Sequence, residues 1–375
     1  MEWLLIHPFG YTRRTELLEK ILSEKEINFT IIASDYSHVK KQRVDYSEKN
    51  ENIEVIRAIK YKKNLSIKRI LSHIHFSFLV LLFIKKNNPQ KIYCRIPPNF
   101  LLFLISCFCK DSKLIVDVYD LWPESFPQKK SFLLNPFFKV WKFFRNGFIN
   151  SSDSIVLECN LYRKYLPHLN GNLVTTIYPE SSGNDLVDVD LNGLESIKSE
   201  IHFCYLGTIN NIVDFSKLEV LFELVSMKSN FFVHFIGRGE KKQYLIDLVS
   251  KYDGVFIDYG PIYNDKEKNF IMNQCHFGLN IFKDQTVIGL SLKSIEYFKF
   301  GLPIISTLKG DTAEFIDRYN VGIMFDDVSF IKLKNFYSKY KDVREEVRNL
   351  YMKEFENNVL EKKWRMAIGG LSVEK

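Results

Sequence analysis

Short apolar runs alternate with longer amphipathic stretches along this 375-residue chain. Trp3–Ile6, Thr30–Ala33, Lys91–Cys94, Lys113–Asp117, Ser154–Leu157 and Val174–Ile177 have the length and apolar character of buried strands. Helices fit Thr15–Ser23, Ile67–Lys85, Phe100–Cys109, Pro136–Asn150 and Asn160–Tyr165 between them. Such alternation predicts a parallel sheet covered on both faces, an α/β fold. Pro179–Asp190 is polar and aperiodic and reads as a connection. The pattern then restarts, with strands at His202–Leu206, Phe232–Ile236, Val255–Asp258, Phe277–Asn280, Pro303–Ser306 and Gly322–Phe325. Helices such as Phe215–Ser226 and Glu240–Tyr252 fall among them, and Phe330–Ala367 is helical and highly charged. The predicted organisation is one α/β domain over 1–180, a second over 191–340, and a tail over 341–375 that returns to brace the first. Two such units enclose a cleft, and ligands of open α/β sheets bind at the carboxyl ends of the strands.

Composition changes this picture little. The chain is 46% apolar and 26% charged, which is globular. Its six cysteines form no C-x-x-C pair and lie mostly in apolar runs, as buried free thiols do; this argues against a disulfide framework or a structural zinc site. The start of the chain lacks a basic region followed by a cleavage site, so no signal peptide is expected. The apolar run Ile70–Ile84 is too short to span a bilayer and reads as a core helix.

Charge says more when divided. Residues 1–180 hold 27 Lys and Arg against 17 Asp and Glu, whereas 181–375 hold 25 against 28. Most of the excess lies in 51–150, with 17 basic and 6 acidic side chains. The basic character therefore belongs to the first half.

The most informative stretch runs from Ser291 to Ser306. Ser291 suits an N-cap, Lys293 and Glu296 sit one turn apart, Gly301 suits a left-handed helix stop, and Leu302–Ile305 re-enter a sheet. A helix N-terminus beside a strand end attracts anions through its N–H groups and dipole. A carboxylate one turn in can accept hydrogen bonds from vicinal hydroxyls, such as those of a ribose. Phosphate plus ribose points to a nucleotide, while an ordinary capped helix fits the same spacing. Three further strand ends carry glycine turns: Leu206-Gly207-Thr208, Ile236-Gly237-Arg238-Gly239-Glu240 and Tyr259-Gly260-Pro261. Glycine lets a ligand approach the backbone closely, although Gly-x-Gly alone is a weak signal.

Taken in order, Tyr205-Leu-Gly-Thr208, Phe235-Ile-Gly-Arg-Gly-Glu240 and Leu292-Lys-Ser-Ile-Glu-Tyr-Phe-Lys-Phe-Gly-Leu-Pro-Ile-Ile305 resemble the donor half of GT-B glycosyltransferases of family 4, in particular bacterial enzymes of O-antigen and capsule synthesis. In the first half, Val116-Asp-Val-Tyr-Asp-Leu-Trp-Pro-Glu-Ser125 and His7-Pro-Phe-Gly10 resemble strand-end segments of the same enzymes.

The resemblance implies two Rossmann-like domains facing a central cleft, the first for the acceptor and the second for a nucleoside-diphosphate sugar, UDP or GDP. It implies transfer to a saccharide hydroxyl with retention at the anomeric carbon, without a bound metal. Asp188 and Asp190 have metal-pair spacing but lie in the connection, where a solvated turn fits. Gly207, Thr208, Gly237, Arg238, Gly239, Ser291, Leu292, Lys293 and Glu296 are then the donor-binding candidates. Glu296 matches the second glutamate of the family's Glu-x7-Glu motif, which holds the ribose hydroxyls. The first glutamate's place is taken by Ile288, a departure from the pattern. The basic residue that relatives carry after the first glycine is missing from Thr208-Ile-Asn-Asn-Ile, and Lys293 with the N–H groups at Ser291 and Leu292 is the candidate substitute, with Arg238 second.

On the acceptor side the candidates are Gly10, Asp117, Asp120, Trp122 and Glu124. Asp120 is the candidate for acid–base help, so that Asp120, Lys293 and Glu296 form the catalytic set; a loop cap at Asp120 and core packing at Trp122 fit equally. Lys129-Lys130, Phe132–Arg145 and Tyr61–Arg69 mix aromatic and basic residues at helical spacing, as helices at an anionic membrane surface do, whereas no nucleic-acid-binding module is recognisable. The expected acceptor is accordingly a polyprenyl-diphosphate-linked saccharide at the inner face of a bacterial cell membrane. A nucleotide-sugar epimerase and a non-catalytic membrane-associated subunit of the same fold are the rival readings.

Overall fold

The structure is a computed structural model and describes residues 2–10, 12–37, 41–46, 52–62, 66–125, 135–166, 168–169, 173–181, 183, 200–338 and 340–369. The expected features at Lys129, Lys130, Phe132, Asp188 and Asp190 lie outside these residues. The chain divides into two compact units, Met1–Tyr178 with Leu360–Lys375, and Pro179–Val359.

The first unit contains a seven-stranded sheet. Its strands are β1 (Trp3–His7), β2 (Phe29–Ser34), β3 (Ile53–Ile56), β4 (Lys91–Ile96), β5 (Lys113–Val118), β6 (Ser154–Leu157) and β7 (Leu173–Thr176), in the order β3-β2-β1-β4-β5-β6-β7. Every pairing is parallel. All five residues of β1 and all four of β6 are buried, which is why these strands read as unbroken apolar runs. The helices are α1 (Arg13–Glu24), α2 (Ile67–Asn87), α3 (Asn99–Phe108), α4 (Asn135–Asn146) and α5 (Tyr162–Tyr165). The strand β3 was not expected: it is an edge strand with two exposed residues, so it carries no buried run. The helix α2 is not a core helix. One side buries Ser72, His73, Phe76, Ser77, Val80 and Ile84, while Ile67, Leu71, Phe78 and Leu82 are exposed.

The second unit repeats the design with six parallel strands. They are β8 (Glu200–Thr208), β9 (Asn230–Arg238), β10 (Val255–Gly260), β11 (Phe277–Asn280), β12 (Ile304–Ser306) and β13 (Gly322–Met324), ordered β10-β9-β8-β11-β12-β13. Both sheets therefore turn at the first strand, so β1 meets β4 and β8 meets β11 at a topological switch point. The helices are α6 (Phe215–Ser226), α7 (Lys242–Lys251), α8 (Asp265–Met272), α9 (Leu292–Lys299), α10 (Asp311–Tyr319), α11 (Phe330–Tyr337) and α12 (Tyr340–Glu354); a last helix, α13 (Asn357–Gly369), belongs from Leu360 onward to the first unit.

The tail divides at Leu360 rather than at 340. Val343, Val347 and Leu350 of α12 are buried, and Arg344 bonds the Phe300 carbonyl at 2.8 Å. In the first unit, Trp364 of α13 is fully buried beside Tyr93 and under the Arg14 guanidinium, and Glu361 accepts a 2.8 Å hydrogen bond from Lys20. All six cysteines are free thiols, and all but Cys107 are buried.

Candidate functional site

In the second unit the switch point is organised around α9. Ser291 caps the helix as expected: its backbone is extended, and its Oγ accepts a 3.1 Å hydrogen bond from the Ser294 N–H. That hydroxyl also donates to Oδ1 of Asn280, the last residue of β11, at 2.8 Å. The Asn280 amide in turn donates to Ser306 at the end of β12. The helix start is thus tied to two strand ends. At the other end Gly301 is left-handed (φ +65°), and the Leu302 N–H returns to the Tyr297 carbonyl at 2.9 Å, closing the helix.

Tyr297 fixes the rest of the helix. Its hydroxyl accepts from the Leu206 N–H at 2.8 Å and donates to the Cys204 carbonyl at 3.1 Å, occupying the place where β8 and β11 stop pairing. A Cβ at Gly278 would lie 2.7 Å from the Tyr297 ring, so that strand position must be glycine for the ring to fit.

Two of the three predicted glycine turns, those at Gly207 and Gly237, meet at adjacent strand ends. Gly207 has φ +100°, and a Cβ there would face open space. Gly237 lies against it: a Cβ would come within 2.0 Å of the Gly207 carbonyl. Thr208, Arg238 and Glu240 are exposed around the turn, and Leu292 is exposed on the first turn of α9.

Lys293 reaches this edge. Its Nζ lies 3.3 Å from the Tyr205 hydroxyl and 4.4 Å and 4.6 Å from the ring centroids of Tyr205 and Phe282. Among the described residues no carboxylate pairs with it. Enclosure by ring faces without a counter-ion pushes the ammonium down to about 7. An ammonium held by aromatic faces at a helix N-terminus is well placed to receive an anion.

Glu296 has a different partner. It is buried, and its Oε2 accepts a 2.7 Å hydrogen bond from Lys268 of α8. Lys268 also pairs with Asp265, which pairs with Lys299, giving a buried chain of alternating charge. Lys293 and Glu296 therefore share a helix turn but serve different neighbours. Lys268, Asp265, Phe282 and Asn280 were not foreseen, because nothing local in the sequence links residues 11 to 34 positions from their partners. Tyr205 stands in the first quoted motif, its role unmarked. Ile288 lies half-buried in the loop before the helix.

In the first unit the acceptor-side candidates sit at the carboxyl ends of β1 and β5 but differ in availability. Gly10 is left-handed (φ +94°), with the Tyr46 hydroxyl filling the space a side chain would need. Asp117 is fully buried; Arg14 donates to both its oxygens at 2.8 Å, and Tyr93 bonds it too. Glu124 is held by Arg145 at 2.8 and 2.9 Å and by Lys142 at 3.1 Å. These two carboxylates are bound up in ion pairs. Asp120 is less committed: Trp122 donates to it at 2.6 Å and Ser125 to its other oxygen, while burial raises its carboxyl above the usual range. Trp122 packs with its face under Arg69, 4.0 Å from the guanidinium.

One group beside them, Glu158, was not foreseen, while His7 heads the quoted His7–Gly10 segment. Burial, reinforced by the Asp120 charge, pushes Glu158 just beyond β6 up to about 8. His7 is fully buried, bonds Thr15 through Nδ1 at 3.2 Å, and is kept neutral by burial and by Arg95 and Arg14.

No family model matches the sequence. No curated protein matches it either. The fold does find counterparts. Sucrose-phosphate synthase from Thermosynechococcus elongatus superposes with a TM-score of 0.70 at 11% identity, over 99% of each chain. The lipopolysaccharide outer core galactosyltransferase WaaB gives 0.68 at 14%, again over 99% of each. HepE from Anabaena, solved with UDP and glucose, gives 0.65 at 12%, over 99% of this chain and 100% of that one. The chain therefore has the fold of the GT-B glycosyltransferases, from end to end.

Proposed function

We propose that this chain is a glycosyltransferase that takes a sugar from a nucleoside diphosphate, a UDP-sugar first among the candidates. The observation that carries this reading is the switch point of the second unit: an open glycine turn at Gly207, the capped N-terminus of α9, and the uncountered Lys293 ammonium converge on one sheet edge. In this reading the diphosphate rests on the first-turn N–H groups and Lys293, which stabilise the leaving group as the glycosidic bond breaks. Glu296 is the candidate for the ribose hydroxyls, which would share its carboxylate with Lys268. The bound ligands of neighbouring structures, UDP with glucose in HepE and UDP in TarM of S. aureus, support the choice of base.

The acceptor is a saccharide hydroxyl, and retention of anomeric configuration follows the resemblance of the donor half to family 4. The first unit would hold it, as the resemblance of its strand-end segments to those of the same enzymes implies. A lipid-linked saccharide at the inner face of a bacterial cell membrane suits the basic first half.

The test is release of nucleoside diphosphate from UDP-glucose, UDP-galactose and UDP-N-acetylglucosamine, with and without a polyprenyl-linked acceptor. Turnover with one donor, abolished in Lys293→Met, is the expected result. Epimer formation without acceptor would favour an epimerase. Absence of both binding and turnover across UDP, GDP, CDP and ADP sugars would favour a non-catalytic subunit.

A further inference from the structure

Three neighbouring helices of the first unit leave an apolar face uncovered. On α2, Ile67, Leu71, Phe78 and Leu82 are 75, 50, 48 and 65% exposed. Their spacing of four, seven and four keeps them within an arc of about 60° on one side of the helix. The opposite side of α2 is buried against its own unit, where it packs on α3 and β3. The face continues sideways. Rings touch in series from Phe78 to Phe100 on α3 (5.5 Å), from Phe100 and Phe103 to Phe144 on α4 (both 5.2 Å), and from Phe103 to Phe148 (4.9 Å). Phe143, Val140 and Phe108 are exposed around this series. The apolar surface is thus one contiguous patch across three helices, which a monomer in water rarely leaves open.

The charge around it is mainly positive. None of the three helices contains an Asp or a Glu. Lys68, Lys85, Lys86 and Lys139 are exposed on them; Arg145 is buried on Glu124, and Lys142 reaches the same carboxylate. The turn after α3 adds Lys110 and one acid, Asp111.

We propose that the outer face of α2, α3 and α4 docks onto an anionic lipid bilayer, with α2 lying in the headgroup plane, its apolar stripe toward the acyl chains and its lysines toward lipid phosphates. Apolar residues flanked by cations, with no acidic group on the helices themselves, match the two halves of such an interface. A protein partner or a second copy would supply acidic side chains or a polar rim to meet these lysines. A bilayer supplies anions and hydrocarbon together. Docking of this kind needs no nucleotide, so it stands apart from the donor site.

Vesicle flotation tests it, using phosphatidylcholine alone and phosphatidylcholine mixed with phosphatidylglycerol, with the full chain and no nucleotide. The wild type is expected to float with the mixed vesicles and to be released by salt. Lys85→Gln with Lys86→Gln should weaken binding roughly fivefold per lysine. Phe78→Glu with Leu82→Glu should abolish it while leaving the melting temperature within a few degrees, since both positions are exposed. The proposal is overturned if the wild type ignores the mixed vesicles or if the double glutamate variant still floats. It is equally overturned if light scattering shows a wild-type dimer that this variant splits, because the face would then belong to a second copy.

Discussion

Lys293 is the residue on which the donor site turns. Its ammonium has aromatic faces and a hydroxyl for company and is pushed down to about 7, against about 10.5 in an unfolded chain. Between those values the unfolded state binds more protons than the folded one, so the group adds stability as pH rises from about 7 and costs most below it. Lys293→Met should therefore raise the melting temperature of the ligand-free protein at pH 6.5, with the gain shrinking by pH 9. The same variant should bind UDP roughly ten- to a hundredfold more weakly at pH 6.5, the loss of one charge-assisted hydrogen bond. Paired thermal melts and titrations at the two pH values check both; a variant that loses stability and keeps its affinity would place Lys293 outside the site.

At the scale of elements, the site depends on α9 being held at a fixed angle to the sheet by Tyr297. Tyr297→Phe leaves the Leu206 N–H without its acceptor and should cost about 1–3 kcal/mol in urea denaturation, with weaker nucleotide binding. A change under ~0.5 kcal/mol would show that the hydroxyl is dispensable. Much of this element was readable beforehand, because caps are local: Ser291, Gly301 and the glycine turns announce themselves within a few residues. The Glu296–Lys268 pair was not, since its partners stand 28 positions apart on helices that only folding brings together. The stripe on α2 was misread for a related reason. A helix apolar on nearly all sides does not declare which side the core will cover, and the lysines bounding it lie on other elements as well as its own.

Over the whole molecule, two parallel sheets were legible from strand–helix alternation, though not their strand order, and the charge division between the halves was legible from composition. The weak point at acid pH lies in the second unit. His202 and His234 bond ring to ring at 2.9 Å, and the His202 N–H donates to His276 at 2.8 Å. Burial holds His234 near 4 and His276 near 3, below the usual 6.5. Such groups cost nothing above about 6.5, and destabilise the fold as pH falls through 6.5 toward 4 because the unfolded state then takes up more protons. Urea midpoints should decline across that window, less steeply in His234→Gln; a flat profile would mean that the cluster opens without cost. The central claim is that α9 and the Gly207 turn bind a nucleoside diphosphate. Calorimetric titration of the wild type and of Glu296→Gln with UDP, and of the wild type with uridine, tests it most directly. Saturable UDP binding, at least tenfold weaker in the variant and nearly absent with uridine, is the predicted result. UDP affinity unchanged by Glu296→Gln, or uridine binding as well as UDP, would contradict it.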